Sequence, residues 1–171
     1  MVQNAIRIVV WVIFLIGGSV LGILLDLHWC RSLVRNPFFH IMSALVGFVL
    51  LQLVMRVSRT TGRLLARYGR EGELPRMQTN RLVTRGVYGC MRHPMHLGLL
   101  FFPLSVALMV GSPTFILFIW PIEVFLMLVM IKWVEEREAL AKFGNAYREY
   151  QKRVPFFNFK TECLRKLFVR I

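Results

Sequence analysis

The sequence predicts an all-α integral membrane protein with about four membrane-spanning helices. Three observations predict it. Hydrophobic residues make up 56% of the 171 positions. Four apolar runs approach the ~20 residues that a helix needs to cross a bilayer. Apart from Arg7, Asp26 and Glu123, the charges lie in the segments between and after those runs. The runs cover residues 6–27, 38–55, 95–110 and 114–131, the third being rather short. The length suits one domain over 1–171, with a loop at 56–93 and a tail at 132–171. The first run exceeds a typical signal core and no small-x-small cleavage site follows it, so it reads as a retained span.

The net charge of +13 follows the topology of such a protein. Residues 56–92 hold nine arginines against Glu71 and Glu73, and the tail holds ten Lys/Arg against five glutamates. The turn at 111–113 carries no charge. Basic loops stay in the cytoplasm, so the middle loop, the tail and both termini are expected inside, which an even number of spans permits. This distribution argues against nucleic acid as a partner, and the expected location is a bacterial inner membrane or the endoplasmic reticulum membrane, with the site on the cytoplasmic side. Membrane lipids are the expected surroundings, and the oligomeric state is not readable. Cys30, Cys90 and Cys163 are too few and scattered for a disulfide frame or a zinc site. They read as small apolar residues, Cys30 outside and the other two inside.

Prolines mark the helix starts. Asn36 precedes Pro37, Ser112 precedes Pro113 and His93 precedes Pro94, each a capping position before a first helical residue. Beyond Met55 the second helix need not stop, because Arg56, Arg59, Arg63, Arg67 and Arg70 recur at one-face spacing. That stripe suits anionic lipid head groups better than an anionic substrate. A polar, Gly- and Pro-containing loop follows at 68–80. In the tail, 134–157 reads as helix interrupted at "FGN" and ended by Pro155. Gly18 and Gly22 form a G-x-x-x-G pair fit for close helix packing.

Three groups of residues are candidates for chemistry. In "RHPMH" a helix starting at Pro94 aims free N–H groups and a positive dipole end at the interface, with Arg92 and His93 as further donors. Gly98, one turn deeper, leaves room for a ligand or a neighbouring helix. The competing reading is an interfacial anchor. Glu135 and Glu136 follow the fourth run, about 100° apart on a helix, so only one faces a given site squarely. A solvated face paired with Lys132, Arg137 or Lys142 explains them equally well. Glu123 lies within the fourth run, where an acid is a functional candidate by default, or a helix lock bonded to His40, Gln52 or Ser105. Asp26 is expected at the outer edge, solvated or paired with Arg31. There is no G-x-G-x-x-G, P-loop, H-E-x-x-H or G-x-S-x-G, so a soluble nucleotide-binding fold is excluded and no metal is expected.

The segment 82–98, "LVTRGVYGCMRHPMHLG", followed after two runs by "EEREALAKFGNAYREYQKRVPFF" at 135–157, resembles the isoprenylcysteine carboxyl methyltransferase family and its wider relatives, the phospholipid methyltransferases. The resemblance implies an S-adenosylmethionine-dependent methyltransferase with a cofactor pocket on the cytoplasmic side and a lipid-bearing acceptor entering from the bilayer. It implies that Leu82, Val83 and Tyr88 line the pocket, that His93 and His96 bind the cofactor with Pro94 shaping the turn, and that Glu135 binds it from the opposite side. Arg92 suits the cofactor carboxylate. In-line methyl transfer requires positioning in a dry pocket rather than a metal. An amine acceptor requires a base as well, for which Glu123, Glu136 and His96 are candidates. Two departures stand out: His96 replaces the family's tyrosine, and Ile131, beside Lys132, replaces an arginine used on a substrate carboxylate. Lys132 is the expected substitute.

The expected function is therefore methyl transfer to a prenylcysteine-like carboxylate or another lipophilic acceptor, with a phospholipid amine as the alternative. A reductase is a further reading, since sterol reductases of membranes resemble the R-H-P region. A non-catalytic basic adaptor on anionic membranes is the alternative of another class.

Overall fold

A computed structural model describes residues 2–74 and 78–169, with side chains from Ile6 onward. The described residues are helical and irregular, without strands. In chain order the helices are α1 (Val2–Trp29), α2 (Arg31–Val34), α3 (Pro37–Tyr68), α4 (Pro94–Leu99), α5 (Phe102–Val110), α6 (Trp120–Met130), α7 (Glu136–Phe143), α8 (Asn145–Arg153) and α9 (Thr161–Lys166). A π-helical turn at Phe115–Ile119 leads into α6 and another at Ile131–Glu135 joins α6 to α7, so that the helix is continuous over Phe115–Phe143.

Among the described residues three helices are long and apolar enough to cross a bilayer: Ile6–Trp29, Pro37–Tyr68 and Phe115–Phe143. The expected third run is instead a shorter apolar stretch, Pro94–Val110, broken between α4 and α5 where Leu100 and Phe101 leave the helix and Pro103 restarts it. Outward-facing Ile13, Phe38, Leu117, Phe118 and Phe125 are largely exposed, which suits hydrocarbon surroundings and not water.

The expected helix starts hold. Asn36 Oδ1 accepts from the Phe38 and Phe39 N–H groups at 3.0 and 3.4 Å, and Ser112 Oγ accepts from Phe115 N–H at 3.2 Å. Helix α3 does continue past Met55. Arg56, Arg59, Arg63 and Arg67 line its exposed face, while Val54, Val57, Thr61 and Leu64 are buried on the other. In the tail, Gly144 at φ 55° separates α7 from α8, and α8 ends just before Pro155. The loop after α3 closes through a reciprocal amide pair, Glu71 N–H to Asn80 Oδ1 and Asn80 Nδ2 to Glu71 O, both 2.8 Å. Pro75–Met77 of the expected loop lie outside the described residues.

The chain divides into two compact units. One comprises Met1–Gln52 and Leu100–Met127. Its helices approach through small residues. A Cβ on Gly22 would lie 2.6 Å from Ser112 Oγ, and one on Gly47 would lie 2.8 Å from the Met109 nitrogen and the Ser105 carbonyl oxygen. The G-x-x-x-G pair thus serves contacts within the chain: Gly18 faces Ile119 and Glu123, and Gly22 faces Ser112 and Phe115. Gly22→Ala is expected to destabilise the protein by ~1–3 kcal/mol through overpacking, read as a lowered midpoint of thermal unfolding in lipid nanodiscs.

Asp26 corrects the expectation of a solvated or Arg31-paired acid. It is 1% exposed, accepts from the Ser112 hydroxyl and accepts from Thr114 N–H at 2.9 Å. Free N–H groups at the start of the 115–143 rod attract it there, as they attract any N-terminal carboxylate. Glu123 is 3% exposed, and neither carboxylate oxygen has a hydrogen-bond partner among the described residues. The expected lock to His40, Gln52 or Ser105 does not form; His40 Nε2 bonds Val34 O at 2.5 Å and Ser105 Oγ donates to Phe102 O.

The second unit comprises Leu53–Leu99 and Leu128–Ile171. Its core joins Val57 and Leu64 of α3 to Val83, Val87, Tyr88 and Met91, with Cys163 and Leu167 closing it from the tail. Gly98 lies against Val57. A Cβ there would stand 2.9 Å from Val57 Cγ1, so the glycine makes room for a neighbouring helix. Cys90 and Cys163 are paired in a disulfide with Cα atoms 5.7 Å apart. This corrects the reading of both as simple apolar residues. Their separation of 73 positions conceals that the tail folds back onto the loop before α4.

Candidate active site

The residues before α4 are held by the tail. Arg92 N–H donates to Pro155 O at 2.9 Å, and His93 N–H donates to Phe156 O at 3.4 Å. The Tyr150 hydroxyl, on α8, donates to Tyr88 O at 2.5 Å and reaches Met91 O at 3.5 Å. The "VPFF" segment is thus bonded to the backbone of "RHP", and a tyrosine of α8 fixes the turn that precedes it. His93 stacks on Phe156, with ring centroids 4.6 Å apart, and the Arg92 guanidinium lies 5.7 Å from the same ring.

The two adjacent glutamates have different partners. Glu136 Oε1 accepts from Arg92 Nε at 2.9 Å, Arg92 Nη2 at 2.7 Å and His93 Nε2 at 3.2 Å, while Lys132 Nζ stands 3.5 Å from Oε2. Arg92 Nη1 also donates to Val154 O at 2.7 Å and Gln151 O at 3.3 Å. The Arg92, His93 and Glu136 side chains are 10%, 9% and 6% exposed, so this ion cluster is internal. Glu135, the last residue of the π-helical turn, pairs instead with His96 Nε2 at 3.0 Å, and both side chains remain about one-fifth exposed. Neighbouring positions on a helix point ~100° apart, and here one reaches the start of α4 while the other reaches one turn further along.

Burial lowers the His93 pKa to about 4, the hydrogen bond to Glu136 offsetting this only in part and His96 lowering it further. The ring is therefore neutral near pH 7, with its proton on Nε2, because a carboxylate only accepts. His93 binds protons less readily folded than unfolded. Its contribution to stability is complete above the unfolded value near 6.5 and is lost as pH falls toward 4. Unfolding free energies measured from pH 7 to pH 4 are expected to fall through this window by on the order of 1–3 kcal/mol, and His93→Gln is expected to flatten that decline.

Tyr88 is buried and its phenol oxygen has no hydrogen-bond partner among the described residues. Burial first, then Tyr150 and Glu135, push its pKa above the ordinary tyrosine value, so it stays a neutral donor. Val83 lies in the core, Leu82 is half-buried, and Pro94 is buried as the first residue of α4. Lys132 is mostly exposed. Glu123 belongs to the other unit. His93, His96 and Glu135 offer ligand atoms within 4.8 Å of one another, but both imidazole Nε2 atoms are at hydrogen-bond length from a carboxylate, and no ion is needed to explain the arrangement. Sequence reasoning left Tyr150, Phe156 and the carbonyls of Val154 and Pro155 out of the site. Their signal was the spaced tyrosines and the V-P pair of the tail.

A family model described as phospholipid methyltransferase matches residues 38–146. The chain belongs to the phospholipid methyltransferase family. The match runs from α3 through the "RHP" segment and both glutamates. The chain is also similar to the Delta(14)-sterol reductase of Mus musculus, 31% identical over 83 residues, which is 48% of this chain and 20% of the reductase. It thus spans about a fifth of that relative's length. No solved structure matches. The family match and three helices of bilayer length among the described residues together mark an integral membrane protein of the phospholipid methyltransferase family.

Proposed function

We propose that this member of the family transfers a methyl group from S-adenosylmethionine to a lipophilic acceptor at the cytoplasmic face of a membrane, with Pro94–Val110 completing four passes. The observation that carries this reading is the paired Glu135 and His96, part-exposed and mounted on the buried Arg92–Glu136–His93 cluster. Around it stand chemically suitable groups. The phenol of Tyr88, without a hydrogen-bond partner among the described residues, suits a polar edge of the cofactor. Glu135 suits a cationic group or ribose hydroxyls, and Leu82 and Val83 supply an apolar wall. Bound S-adenosylmethionine supplies an electrophilic methyl group on a sulfonium. Arg92 and His93 act as positioning residues, since both are directed to Glu136 and the tail.

The protein's own contribution is alignment and proton handling. With the His96 Nε2 proton donated to Glu135, Nδ1 carries the lone pair and is the basic atom. A phospholipid amine must lose a proton as it is methylated, and His96 is the base assigned to it in this reading. A prenylcysteine-like carboxylate needs no base, and Lys132, exposed beside Glu136, is then the cation for it. The family description favours the amine.

Labelled S-adenosylmethionine is expected to bind the purified chain saturably in nanodiscs. The label is then expected to pass to amine phospholipids from a membrane extract in preference to prenylcysteine analogues offered beside them. Absence of saturable binding would overturn the methyltransferase reading in favour of a reductase or an adaptor. Transfer to the prenylcysteine analogue alone would reverse the choice of acceptor.

A further inference from the structure

We propose that Cys90 and Cys163 form a reversible thiol–disulfide site, closed by a low-molecular-weight disulfide and opened by thiol reductants, that fastens α9 over the turn carrying Tyr88. The two sulfurs are differently placed, as a reacting and a resolving thiol must be. Cys90 is part-exposed and Lys166 Nζ lies 3.5 Å from its Sγ, so a cation favours the thiolate there in the reduced state. Cys163 is buried, at 7% exposure, among Val83, Val87 and Met91. Asn158 Nδ2 donates to Cys90 O at 3.4 Å, which keeps the two segments together when the covalent bond is absent.

The exchange is balanced. The Cys90 thiolate attacks one sulfur of the oxidant and expels its first thiolate. Cys163 loses its proton, attacks Cys90 Sγ in the mixed disulfide and expels the second. Two protein thiols are oxidised by two electrons, and the oxidant is reduced to two thiols. Both cysteines lie in the basic segments that the proposed topology puts in the cytoplasm, where a lasting structural disulfide is rare and a responsive one is the usual kind.

The consequence is local. Helix α9 adds Cys163 and Leu167 to the core that holds Val83 and Tyr88. Oxidation makes that attachment covalent, and reduction leaves it to apolar contact and one amide hydrogen bond.

The test uses the full chain in nanodiscs, poised with glutathione at oxidising or reducing ratios, quenched in acid and alkylated under denaturing conditions. Three alkylated cysteines are expected at the reducing ratio and one, Cys30, at the oxidising ratio. Trypsin cleavage at Lys160, Arg165 and Lys166 is expected to be ~10-fold slower in the oxidised protein, because cleavage follows the population of the detached segment. Both C90S and C163S should cleave at the reduced rate at either ratio, and C30S should behave like the parent chain. A pair that stays oxidised at a cytosolic glutathione ratio, a disulfide involving Cys30, or equal cleavage in both states would each overturn the proposal. None of these readouts depends on methyl transfer, so the proposal stands or falls apart from the proposed function.

Discussion

Replacing Glu136 with alanine is expected to lower the stability of the protein by about 3–5 kcal/mol, the usual effect of removing one partner from a buried ion cluster. Arg92 and His93 are both less than about one-eighth exposed and both direct hydrogen-bond donors at the same carboxylate oxygen. Without it the guanidinium loses its charged partner and is left with neutral ones such as the Val154 and Gln151 carbonyls, and His93 Nε2 loses its acceptor. The loss should spread, because Arg92 and His93 also carry the backbone bonds to Pro155 and Phe156 that fasten the tail. A fall in thermal midpoint of roughly 10 °C in nanodiscs is the corresponding reading. Methyl transfer should fall with it, through disorder of the site and not through loss of a base. Glu136→Gln should retain part of the stability, since an amide oxygen still accepts from Arg92. If the alanine variant unfolds within ~0.5 kcal/mol of the parent, the cluster is not what holds this region.

Much of the helical framework was legible from the sequence, for reasons that are local. Proline after a capping residue fixes a helix start whatever surrounds it, and Asn36 and Ser112 cap as expected. The arginine stripe on α3 and the breaks at Gly144 and Pro155 are equally local signals. The third apolar run was only half legible. Its composition is that of a span, but Pro103 and the break at Leu100 and Phe101 divide it into α4 and α5. What was not legible depends on which distant segments meet. Asp26 and Ser112 are 86 positions apart, Cys90 and Cys163 are 73 apart, and neither pairing leaves a mark at short range. In the candidate site, the residue types were readable and their division of labour was not. Arg92 suited a cofactor carboxylate and Glu136 a base on chemical grounds. That they are directed at each other follows only from the π-helical turn before Glu136 and from the return of the tail.

Replacing the adjacent Glu135 with glutamine should have the opposite profile, a large loss of function at little cost in stability. Glu135 is about one-fifth exposed and its pairing with His96 is part-exposed too, so loss of its charge is cushioned by solvent. The unfolding free energy is expected to change by no more than ~0.5 kcal/mol, as for substitutions outside a buried network. Binding of S-adenosylmethionine is expected to weaken by ~100-fold, the effect of losing a charge-assisted hydrogen bond to a cationic or hydroxyl-bearing ligand. Equilibrium binding of the labelled cofactor, run beside thermal unfolding on the same preparation, separates the two quantities. His96→Gln should weaken binding less, because it removes the residue that orients the carboxylate and leaves the charge in place. Unchanged affinity in Glu135→Gln would remove this residue from the cofactor site. A loss of stability as large as that of Glu136→Ala would mean that both glutamates serve the scaffold. The site would then have to be sought around Tyr88, whose phenol is the remaining buried donor in this unit without a partner among the described residues.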